Sequence, residues 1–286
     1  MVKDLEIQLS DLLGETVLGL QPTSGGDISQ AFLILLQNKK LFCKLNYGQN
    51  AYAMFSSERA GLKLISDSGT IKTPEVISCS NLEKGACLIM EYIEPRQPTA
   101  IDMQKFGHQL ANLHLCSGAK YGLETDNFIG SLPQSNTRHS HWTSFYVRER
   151  LQPQLQRALE NNLLSKLEVP QIQIIESAVE KCVSGISPGL LHGDLWQGNY
   201  LISSNGEPYL IDPAVFYGHC EVDIAMTKLF GSFGSDFYAA YHEIIPISDG
   251  HHRREGLYQL YYLLVHLNLF GRSYYQSVLS KLNYYF

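Results

Sequence analysis

Hydrophobic and polar positions follow one rhythm as far as Tyr92 and another beyond it. In the first stretch, short apolar runs stand at Val17 to Leu20, Ala31 to Leu36, Leu41 to Leu45, Glu75 to Ser78 and Ala86 to Tyr92. Apolar runs of this length, bounded by polar and small residues, predict strands. Asn38-Lys39 separates the second run from the third and predicts a hairpin. Two segments show helical spacing instead. Lys3 to Leu13 predicts a helix ended by Gly14. Ala51 to Ser66 predicts another, with Phe55, Leu62 and Ile65 on its apolar side and Glu58 and Arg59 within it.

Glu94-Pro95-Arg96-Gln97-Pro98 interrupts this pattern with a linker that neither a helix nor a central strand tolerates. Helical spacing then dominates: Ile101 to Leu115, Trp142 to Glu160 with a kink expected at Pro153, Ile172 to Val183, Glu221 to Phe230, Phe237 to Ile244, and Arg254 to the end. Two short β-like pieces, Tyr200-Leu201-Ile202 and Tyr209-Leu210-Ile211, interrupt it. The expected organisation is α+β and bilobal: a β-rich N-terminal lobe over 1–93 and a mainly helical C-terminal lobe over 94–286. That is the outline of a protein-kinase-like fold.

Composition narrows the function. The 286 residues carry 22 basic and 28 acidic side chains, a formal net charge of -6. Phosphate-backbone binding needs a basic stripe, and the only basic clusters, Arg148-Glu149-Arg150 and Arg253-Arg254, read as solvated helix surface. No nucleic-acid partner is expected. The six cysteines are scattered without a Cys-x-x-Cys pair, which excludes a zinc ribbon or a disulfide framework and suits reduced thiols in a cytoplasmic protein. The N-terminus lacks an apolar signal core. Leu257 to Phe270, the most apolar late stretch, is broken by Gln259, His266 and Asn268, so no membrane span is expected.

The strongest chemical signal is Leu190-Leu191-His192-Gly193-Asp194-Leu195-Trp196-Gln197-Gly198-Asn199-Tyr200-Leu201-Ile202. A carboxylate and an amide stand in the Asp-x-x-x-x-Asn spacing of a phosphotransferase catalytic loop. Asp194 can accept a hydroxyl proton, and Asn199 can offer an amide oxygen to magnesium. Asp212, directly after Tyr209-Leu210-Ile211, is placed to supply a second, charged magnesium ligand. Phosphoryl transfer needs positioning and charge neutralisation more than covalent chemistry. The three oxygen-bearing side chains are therefore expected to converge on one divalent ion at the terminal phosphate of ATP. Either Asp194 or Asn199 alone would read as a turn cap; together with Asp212 they read as a site.

Lys44 lies on a predicted strand and Glu58 on the following helix, the arrangement of a lysine held by a carboxylate against nucleotide phosphates. Gly25-Gly26, in the first turn, would let backbone N–H groups approach phosphate. Met90-Glu91-Tyr92-Ile93 ends the last N-lobe strand and would offer backbone groups to an adenine edge. Trp196 is a candidate platform for a sugar or amine, with core packing as the alternative. His192 reads as a hydrogen-bonder that pins the loop rather than as the base. His251-His252 and His139 with His141 lack a third ligand and read as exposed, non-liganding residues.

These residues resemble the fructosamine kinase (ketosamine 3-kinase) family, within the aminoglycoside-phosphotransferase-like branch of kinases. Beside the catalytic loop, the resemblance rests on Ile211-Asp212-Pro213-Ala214-Val215-Phe216-Tyr217-Gly218-His219 and Asp223-Ile224-Ala225-Met226. It also rests on Asp126 to Gln134 and Phe145 to Pro153. It covers the chain from about Gly25 onward. It implies Asp194 as base, Asn199 and Asp212 as magnesium ligands, and Lys44 with Glu58 as phosphate clamp. It also implies Glu91 and Ile93 as backbone contacts to adenine, Trp196 facing the ketoamine sugar, and Asp223 supporting the catalytic loop.

The implied reaction is ATP-dependent phosphorylation of the 3-hydroxyl of an Amadori adduct such as a ribulosamine, erythrulosamine or fructosamine. The product then falls apart and frees the amine, which repairs glycation. The implied partners are ketoamine-modified small molecules or glycated protein lysines, met by a monomer or weak dimer. Two departures stand out. Asp27 occupies a position where many members carry a redox-active cysteine, so that switch is not expected, and Cys220 stands where a basic residue is common.

The rivals are a kinase of the same fold acting on an aminoglycoside, choline or a sugar alcohol, a non-catalytic pseudokinase, and a protein kinase. The pseudokinase would lack a metal ligand or the clamp lysine, and all are present. A protein kinase would need an activation segment after Asp212, for which the helix starting near Glu221 leaves no room.

Overall fold

A computed structural model describes residues 2–23, 28–183 and 185–286. The chain forms two compact units: Met1–Pro98 with Tyr200–Asp212, and Thr99–Asn199 with Pro213–Phe286.

The first unit is built on a five-stranded antiparallel sheet. Its strands are β1 (Gly19–Thr23), β2 (Gln30–Leu35), β3 (Lys40–Asn46), β4 (Val76–Asn81) and β5 (Ala86–Glu91), in the order β1-β2-β3-β5-β4. Helix α1 (Val2–Leu13) ends at Gly14, whose φ is +64°, and α2 (Ala51–Asp67) follows β3. The period-2 alternation of β3 explains the layering. Leu41, Cys43 and Leu45 join Leu9 of α1 and Ile34 of β2 in one core. The opposite face of the sheet carries Leu88 and Met90, packed with Ala51, Phe55 and Leu62 of α2. Lys44 has the opposite parity to Cys43 and so takes the α2 side. β5 is buried along Ala86–Met90, as a central strand must be.

One segment departs from the division expected at 93/94. The hairpin of Tyr200–Ile202 and Pro208–Leu210 follows the catalytic loop in sequence but belongs to the first unit. Backbone hydrogen bonds hold it there: Arg96 N–H to Ile202 O at 2.8 Å, Ser204 N–H to Glu94 O at 2.9 Å, and Leu210 N–H to Lys72 O at 2.9 Å. Exposed strand edges of so short a hairpin need such partners, and the linker and Lys72 supply them.

The second unit is mainly helical. Helix α3 (Ala100–Leu115) opens with a capping box, in which Thr99 N–H donates to Asp102 Oδ2 at 2.7 Å and Asp102 N–H to Thr99 Oγ1. Helices Ile172–Glu180, Glu221–Thr227, Ser235–Ile244, His251–Phe270 and Tyr275–Tyr285 lie further along the unit. The run expected to continue from Arg254 to the end is divided at Gly271, where φ is +83°.

The kink expected at Pro153 takes another form. Trp142–Phe145 is α-helical, Tyr146–Leu151 widens into a π-helical turn, and Gln152–Glu160 resumes the α-helix with Pro153 in its first turn. Pro153 has no N–H to return to the Glu149 carbonyl. That carbonyl instead accepts from the Arg150 guanidinium at 2.9 Å.

Two short strand pairs that periodicity does not reveal complete the unit. Asn127–Ile129 pairs with Leu132–Gln134, and Gly189–Leu191 with Phe216–Gly218. The core gathers Trp142, Phe145, Tyr146, Phe216, Tyr258 and Tyr262, among others.

His219 and Glu221 make this core sensitive to acid in two separate windows. Burial pushes the His219 imidazole down from its ordinary 6.5 to about 4, and its Nδ1 meets the Tyr258 hydroxyl at 2.8 Å. Burial would raise Glu221, but a two-point pair with Arg254 (2.7 and 2.8 Å) holds it far below the carboxylate range. The unfolded chain binds a proton on His219 below 6.5 that the native state refuses until about 4. Stability is therefore expected to fall by roughly 3 kcal/mol as pH drops from 6.5 to 4, before the Glu221 contribution is lost at lower pH. Urea unfolding at pH 7 and pH 5 measures this. A His219→Gln variant whose midpoint falls as steeply as wild type would refute the assignment.

Candidate active site

In the first unit, the alternation of β3 turns Lys44 toward α2, where its Nζ lies 2.7 Å from Glu58 Oε1. The same Nζ pairs with Asp212 Oδ1 at the end of the hairpin segment. Two carboxylates thus share one lysine, with the Lys44 side chain only 8% exposed. Burial opposes the ammonium charge, but the two anions outweigh it and hold the Lys44 pKa above its ordinary value. Glu58 is pushed up to about 8, first by burial and then by Asp212 across the lysine, against the opposing pull of Lys44. Asp212 has φ +56°, a left-handed conformation uncommon outside glycine; such strain is usual where a side chain is held for function.

Glu91 and Ile93 lie where β5 leaves the sheet. The Glu91 N–H donates to Glu75 O at 2.8 Å, and Ile93 is buried. Gly25, Gly26 and Asp27 lie outside the described residues.

In the second unit, the buried strand Gly189–Leu191 delivers the chain into a tight turn. Gly193 has φ +85°, and a Cβ there would stand 2.1 Å from the Ala214 carbonyl oxygen; only glycine fits. Asp223, fully buried, takes the His192 N–H at 2.7 Å and the Gly193 N–H at 2.9 Å on its two oxygens. Burial raises its pKa, but His114 at 3.1 Å, His192 and the Gly193 amide outweigh this and keep it below the ordinary value. His192 Nδ1 accepts the N–H of Asp194 at 3.2 Å, so the imidazole braces the turn.

Asp194 itself is half-buried. Asn199 Nδ2 donates to its backbone carbonyl at 2.8 Å and to its Oδ2 at 3.3 Å. That leaves Asn199 Oδ1 as the amide's acceptor for a cation. Trp196 is partly buried against the main core, and its ring lies over Gly198, where a Cβ would come within 2.5 Å.

The predicted residues therefore fall into two assembled groups: Lys44, Glu58 and Asp212 in the first unit, and His192, Asp194, Asn199 and Asp223 in the second. Sequence reasoning missed His114, which also meets the Tyr241 hydroxyl at 2.8 Å. It also missed Tyr262, whose hydroxyl donates to Gly193 O at 2.9 Å. Their signal was faint: His114 lies among buried apolar positions at the end of α3, and Tyr262 is one of three buried tyrosines of the helix His251–Phe270.

The sequence model of the fructosamine kinase family matches residues 1–285. The chain belongs to the fructosamine kinase family. Within that family it is similar to a probable ketoamine kinase of Enterococcus faecium, 38% identical over 95% of this chain and 96% of the relative. It is also similar to the chloroplastic protein-ribulosamine 3-kinase of Oryza sativa subsp. japonica, 36% identical over 94% of this chain and 79% of the relative. Among solved structures, a putative fructosamine-3-kinase from Haemophilus somnus aligns with a TM-score of 0.87 at 27% identity, over 98% of this chain and 96% of that one. The fold is the protein-kinase-like fold that the sequence predicts. Among the described residues, no helix is long and apolar enough to cross a membrane.

Proposed function

We propose that this fructosamine kinase family member transfers the γ-phosphoryl group of ATP to the 3-hydroxyl of ketoamine sugar adducts. The observation that carries this reading is the state of Asp194. It is a half-buried carboxylate on a backbone pinned through His192, Gly193 and Asn199, with one side-chain oxygen engaged by an amide. A carboxylate held this way accepts a proton from a positioned hydroxyl without reorganising.

In this mechanism Asp194 takes the 3-hydroxyl proton as the hydroxyl oxygen bonds to the γ-phosphorus, and ADP leaves with the electrons of the broken P–O bond. Lys44, kept charged by the flanking Asp212 and Glu58 carboxyl groups, meets the phosphate oxygens. Asn199 Oδ1 and the Asp212 carboxylate are hard oxygen donors, one neutral and one charged, which suits magnesium and not a soft metal. Magnesium, when bound, neutralises charge on the phosphates. The segment Glu91–Ile93 receives adenine through backbone groups.

The fitting substrates are ribulosamines, erythrulosamines or fructosamines borne on free amines or on protein lysines. The rice relative is a protein-ribulosamine 3-kinase, which favours the protein-borne form. The described cysteines are all free thiols, which suits a reducing cytoplasmic setting.

Trp196 faces the sugar in this reading. Trp196→Ala is expected to raise KM for the ketoamine about tenfold, through loss of one aromatic platform, with KM for ATP unchanged. Equal effects on both constants would assign Trp196 to the core. A panel of ribulose, erythrulose and fructose adducts of one lysine derivative, run beside aminoglycosides, tests the substrate class. Turnover of aminoglycosides alone would overturn it.

A further inference from the structure

Two sequence runs, Asp126 to Gln134 and Phe145 to Pro153, take no part in the mechanism above, yet they meet behind the catalytic loop. Asn127 and Gln134 face each other across the short strand pair of the second unit, and both are buried. Gln134 Nε2 donates to Asn127 Oδ1 at 2.8 Å and to the Ala214 carbonyl at 3.3 Å. Asn127 Nδ2 donates to the Val215 carbonyl at 2.8 Å. The Tyr261 hydroxyl donates to Gln134 Oε1. This pattern fixes both amide orientations: turning Gln134 over would set its oxygen against two acceptors and its NH2 against the tyrosine O–H.

The second run supplies the anchor. Arg150 is fully buried, and its guanidinium donates to carbonyl and amide oxygens. Its guanidinium donates to Ser135 O at 2.6 Å and to Asn136 Oδ1 at 2.7 Å, on the two residues after Gln134. It also lies 4.1 Å from the Phe216 ring centroid and 4.6 Å from that of Phe145. Phe216 directly follows Val215. One cation thus ties together the ends of both segments that the amides join.

Ala214 connects this relay to the chemistry. Its N–H donates to the His192 carbonyl at 2.9 Å, and its carbonyl packs against Gly193 too closely for any side chain. A shift of Ala214 therefore moves the turn that carries Asp194.

We propose that Asn127, Gln134 and Tyr261, anchored by Arg150, are positioning residues for phosphoryl transfer: their amide relay sets Ala214 and, through it, the backbone of His192-Gly193-Asp194. The inference rests on the reading of Asp194 as the base. It predicts a loss confined to the chemical step, because a displacement of even an ångström at a reacting group costs up to about 100-fold.

The test compares wild type, Gln134→Leu and Tyr261→Phe. Ketoamine phosphorylation and acceptor-free ATP hydrolysis are both measured, together with thermal unfolding and ATP affinity by fluorescence titration. Gln134→Leu removes both donors at similar volume and is expected to lower kcat about 100-fold in both reactions. Tyr261→Phe keeps the ring and loses one hydrogen bond, with kcat down about tenfold. KM for ATP and ATP affinity should stay within about twofold of wild type in each.

Wild-type kcat in Tyr261→Phe, or losses spread equally over kcat and both KM values, would overturn the proposal. Should Gln134→Leu fail to fold, Tyr261→Phe carries the test alone. Should wild type ignore ketoamines, the substrate reading falls, while the ATP hydrolysis comparison still decides the positioning role.

Discussion

Asp194→Asn is expected to lower kcat by about 10³- to 10⁴-fold, at the upper end of what a positioned general base contributes, while ATP binds as before. The substitution is nearly isosteric. The backbone bonds from His192 and Gly193 to Asp223, and from Asn199 Nδ2 to the residue 194 carbonyl, do not involve the exchanged atom. The turn should therefore persist, and only the capacity to take a proton is lost. ATP affinity by titration should be unchanged, because the clamp of Lys44 with Glu58 lies in the other unit. Turnover within threefold of wild type would remove Asp194 from the role of base.

Lys44→Ala should lower kcat/KM for ATP by about 10²- to 10³-fold, the range for deleting one preorganised donor to transition-state charge. It should also destabilise the protein. Glu58 and Asp212 now share one ammonium; without it, two carboxylates face each other with no cation. Breaking a buried pair from one side costs about 3–5 kcal/mol when the orphan stays charged. Glu58 escapes part of that cost by taking a proton, since burial and Asp212 already push its pKa up to about 8. The added Glu58→Gln change should therefore restore stability to Lys44→Ala without restoring ATP use. Steady-state kinetics at low ATP together with thermal unfolding separate the two effects. An unchanged rate at low ATP would make Lys44 an ordinary structural lysine.

Legibility in the sequence followed how local each determinant is. Lys44 and Glu58 could be read because strand parity and one helix face place them, and both patterns are short-range. Asp194, Asn199 and Asp212 stood out through their spacing, an Asp-x-x-x-x-Asn frame followed by a carboxylate at a strand end. The packing of Tyr200–Asp212 with the first unit is not legible in sequence order, because its partners, Lys72 and Glu94–Arg96, are remote and bind it through backbone atoms that carry no residue signature. The pair Asn127–Ile129 and Leu132–Gln134 escaped because three-residue strands are too short to show alternation. Arg150 read as a solvated charge; its burial depends on three aromatic rings brought from distant parts of the chain. The π-helical turn before Pro153 has no residue pattern of its own that would mark it in the sequence.

The most direct test of the central claim follows phosphorus. Purified protein with magnesium, ATP and a ribulose adduct of a lysine derivative is monitored by 31P NMR. The account predicts loss of the ATP γ resonance with growth of a phosphomonoester coupled to the proton on sugar carbon 3, followed by release of the free amine. A phosphoester on any other carbon, or no transfer to the adduct while an aminoglycoside is phosphorylated under the same conditions, would contradict it.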